Sequence, residues 1–175
     1  MTKALVIIDH QKAMFEIPGY APVDGEAVTD RIASLIAKAR AAGAPVFYVQ
    51  HDGGADDEFH PGKPGFAFVD RIAPQPGDDV TVKTKSSAFH DTDFDAKLKR
   101  AGVTHLVIAG MQSEYCVTSA IRGAYERGYR ITLAADAHST FDTKVTDGRT
   151  IVAVINDTTR GSFGDVIVAR EIAFG

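Results

Sequence analysis

The chain contains one cysteine, Cys116, in the segment Gly110-Met111-Gln112-Ser113-Glu114-Tyr115-Cys116 that follows the apolar run Thr104–Gly110. The spacing predicts a helix over Ser113–Arg127 with Ser113 as N-cap, placing Cys116 third in its first turn. Free amides and the helix dipole there favour an anion, so the thiol is expected to ionise toward neutrality and act as a nucleophile. A free cysteine is more often a small buried hydrophobe, and alone Cys116 would be read that way. Two charged residues argue otherwise. Asp9 closes the apolar run Ala4–Asp9, where partial desolvation raises a carboxyl pKa and makes a base. Lys83 closes the run Val80–Lys83. Ligands in open α/β sheets bind beyond the carboxyl ends of the strands, so a base, a cation and a thiol meet at one sheet edge. That set suits covalent attack on an electrophilic carbon. Singly, Asp9 reads as a turn residue and Lys83 as a solvated lysine whose part Lys85 could take.

Other motifs carry less. Neither GxGxxG nor GxxxxGK[ST] occurs, so no nucleotide is implied. His51-Asp52 with His60, or with His90, matches no standard metal-ligand spacing, and no metal or cofactor is expected. Asn156-Asp157-Thr158 fits a glycosylation sequon, but no secretory signal precedes it.

The elements that must position these residues follow an α/β rhythm. Strands are expected at Ala4–Asp9, Pro45–Gln50, Val80–Lys83, Thr104–Gly110, Arg130–Ala135 and Val166–Ile172. Helical periodicity marks 24–42, where Val28, Ile32, Leu35, Ile36 and Ala39 share a face, and also Thr92–Ala101, Ser113–Arg127 and Val145–Asp157. The expected fold is one Rossmann-like domain over residues 1–175, a six-stranded, mainly parallel sheet with helices on both faces. The stretch from His51 to Asp79 holds four of the chain's seven prolines and acids at 52, 56, 57 and 58. A loop so long inside a compact domain is usually functional, and a short element around Phe66–Ile72 is expected to break it.

A chain of 175 residues can bury a sizeable core without a staple. A net charge of −4 without a basic stripe argues against nucleic acid. The Ala4–Ile8 run is far too short to span a bilayer. A soluble, cytoplasmic protein acting on a small molecule is expected, with neither membrane nor nucleic acid as partner.

These residues resemble a family. Asp9 followed by Gln11, Lys83 before Ser87-Ala88-Phe89, the segment Gly110-Met111-Gln112-Ser113-Glu114-Tyr115-Cys116-Val117, and Ala135-Asp136-Ala137-His138-Ser139-Thr140 strongly resemble the isochorismatase-like cysteine hydrolases. The resemblance runs from residue 4 to roughly 160. It implies a catalytic triad of Asp9, Lys83 and Cys116, and a cis peptide at Met111–Gln112 that turns the Gln112 amide toward that of Cys116 as an oxyanion hole. It also implies assembly into dimers or tetramers. Isochorismatases proper cleave a vinyl ether and typically lack the cysteine. Nicotinamidases carry a metal-binding Asp-x-His pair where this chain reads His51-Asp52-Gly53-Gly54. What remains resembles the metal-free amidases, which cleave small amide, carbamoyl or lactam C–N bonds through a thioester. Phe15, His51 and Tyr115 are expected to shape the pocket by position. The alternatives are a vinyl-ether hydrolase using Asp9, which would survive loss of Cys116, and a non-catalytic binding member of the fold.

Overall fold

The N-terminal apolar run forms β1 (Thr2–Ile8), with Ala4 to Ile8 buried on both faces, as a central parallel strand requires. In the computed structural model, which describes residues 2–16, 18 and 21–175, five further strands join it. They are β2 (Val46–His51), β3 (Asp79–Lys83), β4 (Val103–Met111), β5 (Arg130–Ser139) and β6 (Asp165–Ile167). The described strands all pair in parallel, in the order β3-β2-β1-β4-β5-β6. The connections reverse direction across the sheet between β1 and β4, so a crevice opens beyond those two strand ends.

The helices are α1 (Ala13–Glu16), α2 (Gly25–Ala41), α3 (Phe94–Arg100), α4 (Thr118–Glu126) and α5 (Gly148–Ser162). The α2 face predicted from periodicity is buried at Val28, Ile32, Leu35, Ile36 and Ala39 against Leu5, Ile7 and Tyr48. On the opposite face Phe94, Leu98, Ile121 and Ala124 pack on Val6, Ile8, Phe47 and Val49, with Ile155 of α5 at the margin. The expected six-stranded α/β sheet with helices on both faces is therefore observed. No helix among the described residues is long and apolar enough to cross a membrane.

Several boundaries differ from expectation for physical reasons. The last strand pairs only over Asp165–Ile167, because the chain then turns into a short 3-10 segment, Ala169–Glu171. Its carbonyls at Ala169 and Arg170 accept from Lys38 Nζ on α2 at 2.9 and 2.7 Å. The last helix starts at Gly148 rather than near Val145, because Asp147 caps it by accepting from the Thr150 amide at 2.9 Å. β5 runs on to Ser139 through an irregularity: Ile108 pairs with Leu133, but Gly110 pairs with His138 and Met111 with Ser139. That extension carries His138 to the crevice side of β4.

Candidate active site

At the end of β1 the chain bends sharply. Asp9 has φ 43°, a left-handed conformation that aspartate tolerates better than most side chains. Its amide donates to the Val49 carbonyl at 2.9 Å, and its own carbonyl accepts from the Gln11 amide at 2.8 Å. Beside it Gly110 has φ 120°, and a Cβ there would run into the Ile8 carbonyl oxygen. Only glycine lets β4 approach so closely while turning away.

Lys83 leaves the end of β3, two strands from Asp9, a span of about 10 Å at the usual spacing. Its stem crosses β2, and Nζ reaches 2.7 Å from Asp9 Oδ2 and 3.3 Å from Cys116 Sγ. Both charged side chains are sealed from solvent. Lys85 is exposed, so Lys83 is the lysine that joins Asp9 and Cys116. The ion-pair distance is short but poorly angled, and neither Asp9 oxygen receives a well-directed hydrogen bond. Burial therefore pushes the Asp9 carboxyl above its ordinary range, against the opposing pull of Lys83 and of its contact with Cys116.

The surroundings of Cys116 oppose the expected ionisation. Burial, and then the Asp9 charge, push the thiol up to about 12 despite Lys83. The local fold explains why the helix dipole does not prevail. Ser113–Val117 forms a wide π-helical turn, and α4 begins only at Thr118. Cys116 thus sits in that turn and not third in a regular α-helix. The Gln112 carbonyl accepts from the amides of Tyr115 and Val117, at 3.2 and 3.1 Å, and skips that of Cys116. The Met111–Gln112 peptide is cis, as the resemblance implied.

Ser113 does not cap the helix either; Gln112 occupies that position without a side-chain cap. The Ser113 hydroxyl lies instead 2.8 Å from His138 Nδ1, and His138 Nε2 lies 3.1 Å from Asn156 Oδ1. Asn156 Nδ2 donates to the Ala135 carbonyl at 2.9 Å, which turns its oxygen toward the imidazole. His138 therefore donates from Nε2 and accepts the Ser113 proton at Nδ1. Burial holds the His138 pKa down, so the ring is neutral. The sequon residue Asn156 is thus a half-buried strut behind the thiol-bearing turn.

A pocket of about 470 Å³ opens over Asp9 and Cys116, lined also by Met14, His51, Asp57, Phe59, Ser86, Gln112, Tyr115 and Phe141. His51 and Tyr115 line it as expected, and Phe15 does not. On the short α1, Met14 faces the pocket while Phe15 turns to the His10 ring, 5.0 Å away, and to a separate depression beside Lys12. The long loop supplies Asp57 and Phe59; it is broken by short 3-10 turns at Pro64–Phe66 and Asp70–Ile72, as expected. Gln11 anchors this loop, donating from Nε2 to the carbonyls of His51 and Phe66 and accepting from the His51 amide. Burial and Lys83 hold the His51 pKa down. His60 turns to Asp52 at 3.6 Å. Among the described residues no group of three His, Cys, Asp or Glu side chains is spaced to hold a metal ion.

Sequence reasoning missed Met14, Asp57, Phe59, Ser86 and Phe141, which reach the pocket from loops and element ends. The loop's acidic composition was the one signal pointing to Asp57.

The comparisons with known proteins converge. The family model of the isochorismatase domain matches residues 3–153. A streptothricin hydrolase of Streptomyces noursei is 39% identical over 140 residues, covering 80% of this chain and 50% of the relative, so the chain spans half of that relative's length. A ureidoacrylate amidohydrolase of Methylorubrum extorquens is 31% identical over 172 residues, covering 78% of this chain and 69% of the relative. A crystal structure of an isochorismatase-type hydrolase from Oleispira antarctica superposes with a TM-score of 0.90 at 30% identity, over 97% of this chain and 95% of that one. N-carbamoylsarcosine amidase from Thermoplasma acidophilum superposes with a TM-score of 0.81 at 26% identity, over 98% and 99%. With the family model covering most of its length and the same sheet carrying the crevice, the chain belongs to the isochorismatase family.

Proposed function

We propose that the protein is a metal-independent cysteine hydrolase that cleaves the C–N bond of a small amide, carbamoyl compound or lactam through a thioester on Cys116. The observation that carries this reading is the convergence of Asp9, Lys83 and Cys116 at the floor of the pocket. The names of the relatives support it: an amidohydrolase, an amidase and a hydrolase of streptothricin.

The geometry favours a nucleophile made on demand over a standing thiolate. Both Asp9 and Cys116 have raised pKa values, chiefly because burial disfavours their charged forms, with the Asp9 charge adding to the effect on the thiol. In the resting site Asp9 holds the negative charge against Lys83, and Cys116 keeps its proton. As Sγ attacks the carbonyl carbon, that proton passes to Asp9, whose raised basicity suits it to the task. The oxyanion is held by the amides of Gln112 and Cys116; one such donor is worth about 2.7–4 kcal/mol in the transition state. Collapse expels the amine with the proton held by Asp9. Asp9 then deprotonates the water that hydrolyses the thioester, and the thiol is restored. Lys83 Nζ lies within reach of both Asp9 Oδ2 and Cys116 Sγ and holds the two side chains in place through the cycle.

A panel of small amides, carbamoyl compounds and lactams, read by release of ammonia or amine, tests the reading. Turnover by the native protein and its loss in Cys116→Ala are expected. Hydrolysis of a vinyl ether that survives Cys116→Ala would overturn it.

A further inference from the structure

The pocket has walls of one electrostatic kind. Among the described residues its lining includes no lysine or arginine, and Lys83 beneath it is committed to Asp9 at 2.7 Å. Among the described residues, the one carboxylate on its wall besides Asp9 is Asp57. It is exposed and forms no ion pair among the described residues; Oδ1 accepts the Phe59 amide at 2.9 Å. Asp57 follows the exposed Asp56 in a turn whose other acids are engaged elsewhere, Asp52 with His60 and Glu58 with Lys63. At the start of the loop, with its ring 5.9 Å from that of Phe59, His51 has Nδ1 buried without a hydrogen-bond partner. Phe59, Tyr115 and Phe141 bring three aromatic rings to the wall, beside Met14, Ser86 and Gln112.

From this arrangement we propose that the substrate carries a cationic group, an ammonium or guanidinium, on the far side of its scissile amide, and that Asp57 is the residue that selects it. The inference rests on the hydrolase reading above and adds the charge class of the substrate. A carboxylate facing aromatic rings is the ordinary recognition set for such a cation, the rings adding attraction at their faces. An anionic substrate would meet Asp57 with no counter-charge on the walls. The pocket, at about 470 Å³, lies within the range of sites for drug-sized ligands and has room for a body well beyond a urea-sized amide.

The test uses para-substituted benzamides that differ only in charge: aminomethyl, methyl and carboxy. We expect kcat/KM for the aminomethyl compound to exceed that for the methyl compound by about tenfold or more, with the carboxy compound poorest, as local fields of this kind produce. In Asp57→Asn the cation-to-neutral ratio should fall near unity, and Asp57→Glu should keep it. Preference for the carboxy compound, or a ratio unaltered in Asp57→Asn, would overturn the proposal. If none of the three is hydrolysed, the hydrolase reading fails for this class, and the charge preference is still measured on Cys116. Trimethylammonioethyl methanethiosulfonate should then label it faster than the sulfonatoethyl reagent, relative to a free small thiol, and Asp57→Asn should reduce the difference. Equal relative rates, or no response to Asp57→Asn, would overturn the selection by Asp57.

Discussion

The Lys83 ammonium lies 2.7 Å from Asp9 Oδ2, and both side chains are fully buried. Taking two such charges out of water costs several kcal/mol for each ion, and their attraction returns this only while both are present. Asp9→Asn or Lys83→Met alone is therefore expected to destabilise the fold by about 3–5 kcal/mol. The double variant should recover most of that loss while remaining inactive. Denaturant unfolding of the four proteins measures the coupling, and additive losses would show that the pair is not an energetic unit.

The pH profile of kcat/KM should carry the signature of a raised carboxyl. Asp9 accepts a proton in the attack, so it must be ionised, and activity is lost as pH falls through its folded pKa. That value lies above the ordinary carboxylate range because of burial, so the acid limb should lie above about 4, where an ordinary aspartate would place it. A limb at or below that value would contradict the environment described here.

Alkylation reports the thiol. With Cys116 pushed up to about 12, labelling by iodoacetamide should show no inflection near the ordinary thiol value of about 8.5. It should be slow at neutral pH and faster in Asp9→Asn, which removes the charge that raises the thiol and leaves Lys83 facing it. Rapid labelling at neutral pH with a low inflection would point to a standing thiolate and a different resting state.

Much of this site could be read from residue types and order, and the exceptions share a cause. Asp9, Lys83 and Cys116 are legible because strand ends in a parallel sheet share an edge, whereas the choice of Lys83 over Lys85 needed the structure, in which β3 ends at Lys83 and Lys85 is exposed. The α2 face is legible because its helical spacing is regular. Whether Cys116 ionises is not legible, since that depends on burial and on the charge of Asp9. The π-helical turn was missed because Ser113 has the composition of an N-cap, while its hydroxyl is taken by His138 from a strand extended past its expected end. Met14 and Phe15 are both apolar neighbours on a helix of one turn, and only packing decides which faces the pocket.

The Ser113–His138–Asn156 chain predicts a positioning effect. Ser113→Ala leaves His138 Nδ1 without its donor in a buried site, a loss of about 1–3 kcal/mol. Because the strut stands behind the turn that carries Cys116, kcat should fall about tenfold, the size of effect expected when a reacting atom is displaced slightly, with KM little changed. Steady-state kinetics separates the two, and an effect confined to KM would contradict the assignment.

Chelation tests the absence of a metal step. The proposed mechanism asks nothing of a metal, so dialysis against excess chelator should leave turnover unchanged. Activity lost on chelation and restored by zinc would revive a metal-assisted reading centred on His51.

The most direct measurement of the central claim is the mass of the intact protein, acid-quenched during turnover of a substrate found in the amide panel. The account predicts an adduct equal to the acyl portion of the substrate. It should map to the peptide containing Cys116, be removed by hydroxylamine, and be absent in Cys116→Ala. Steady turnover with an unmodified Cys116, or turnover retained in Cys116→Ala, would contradict it.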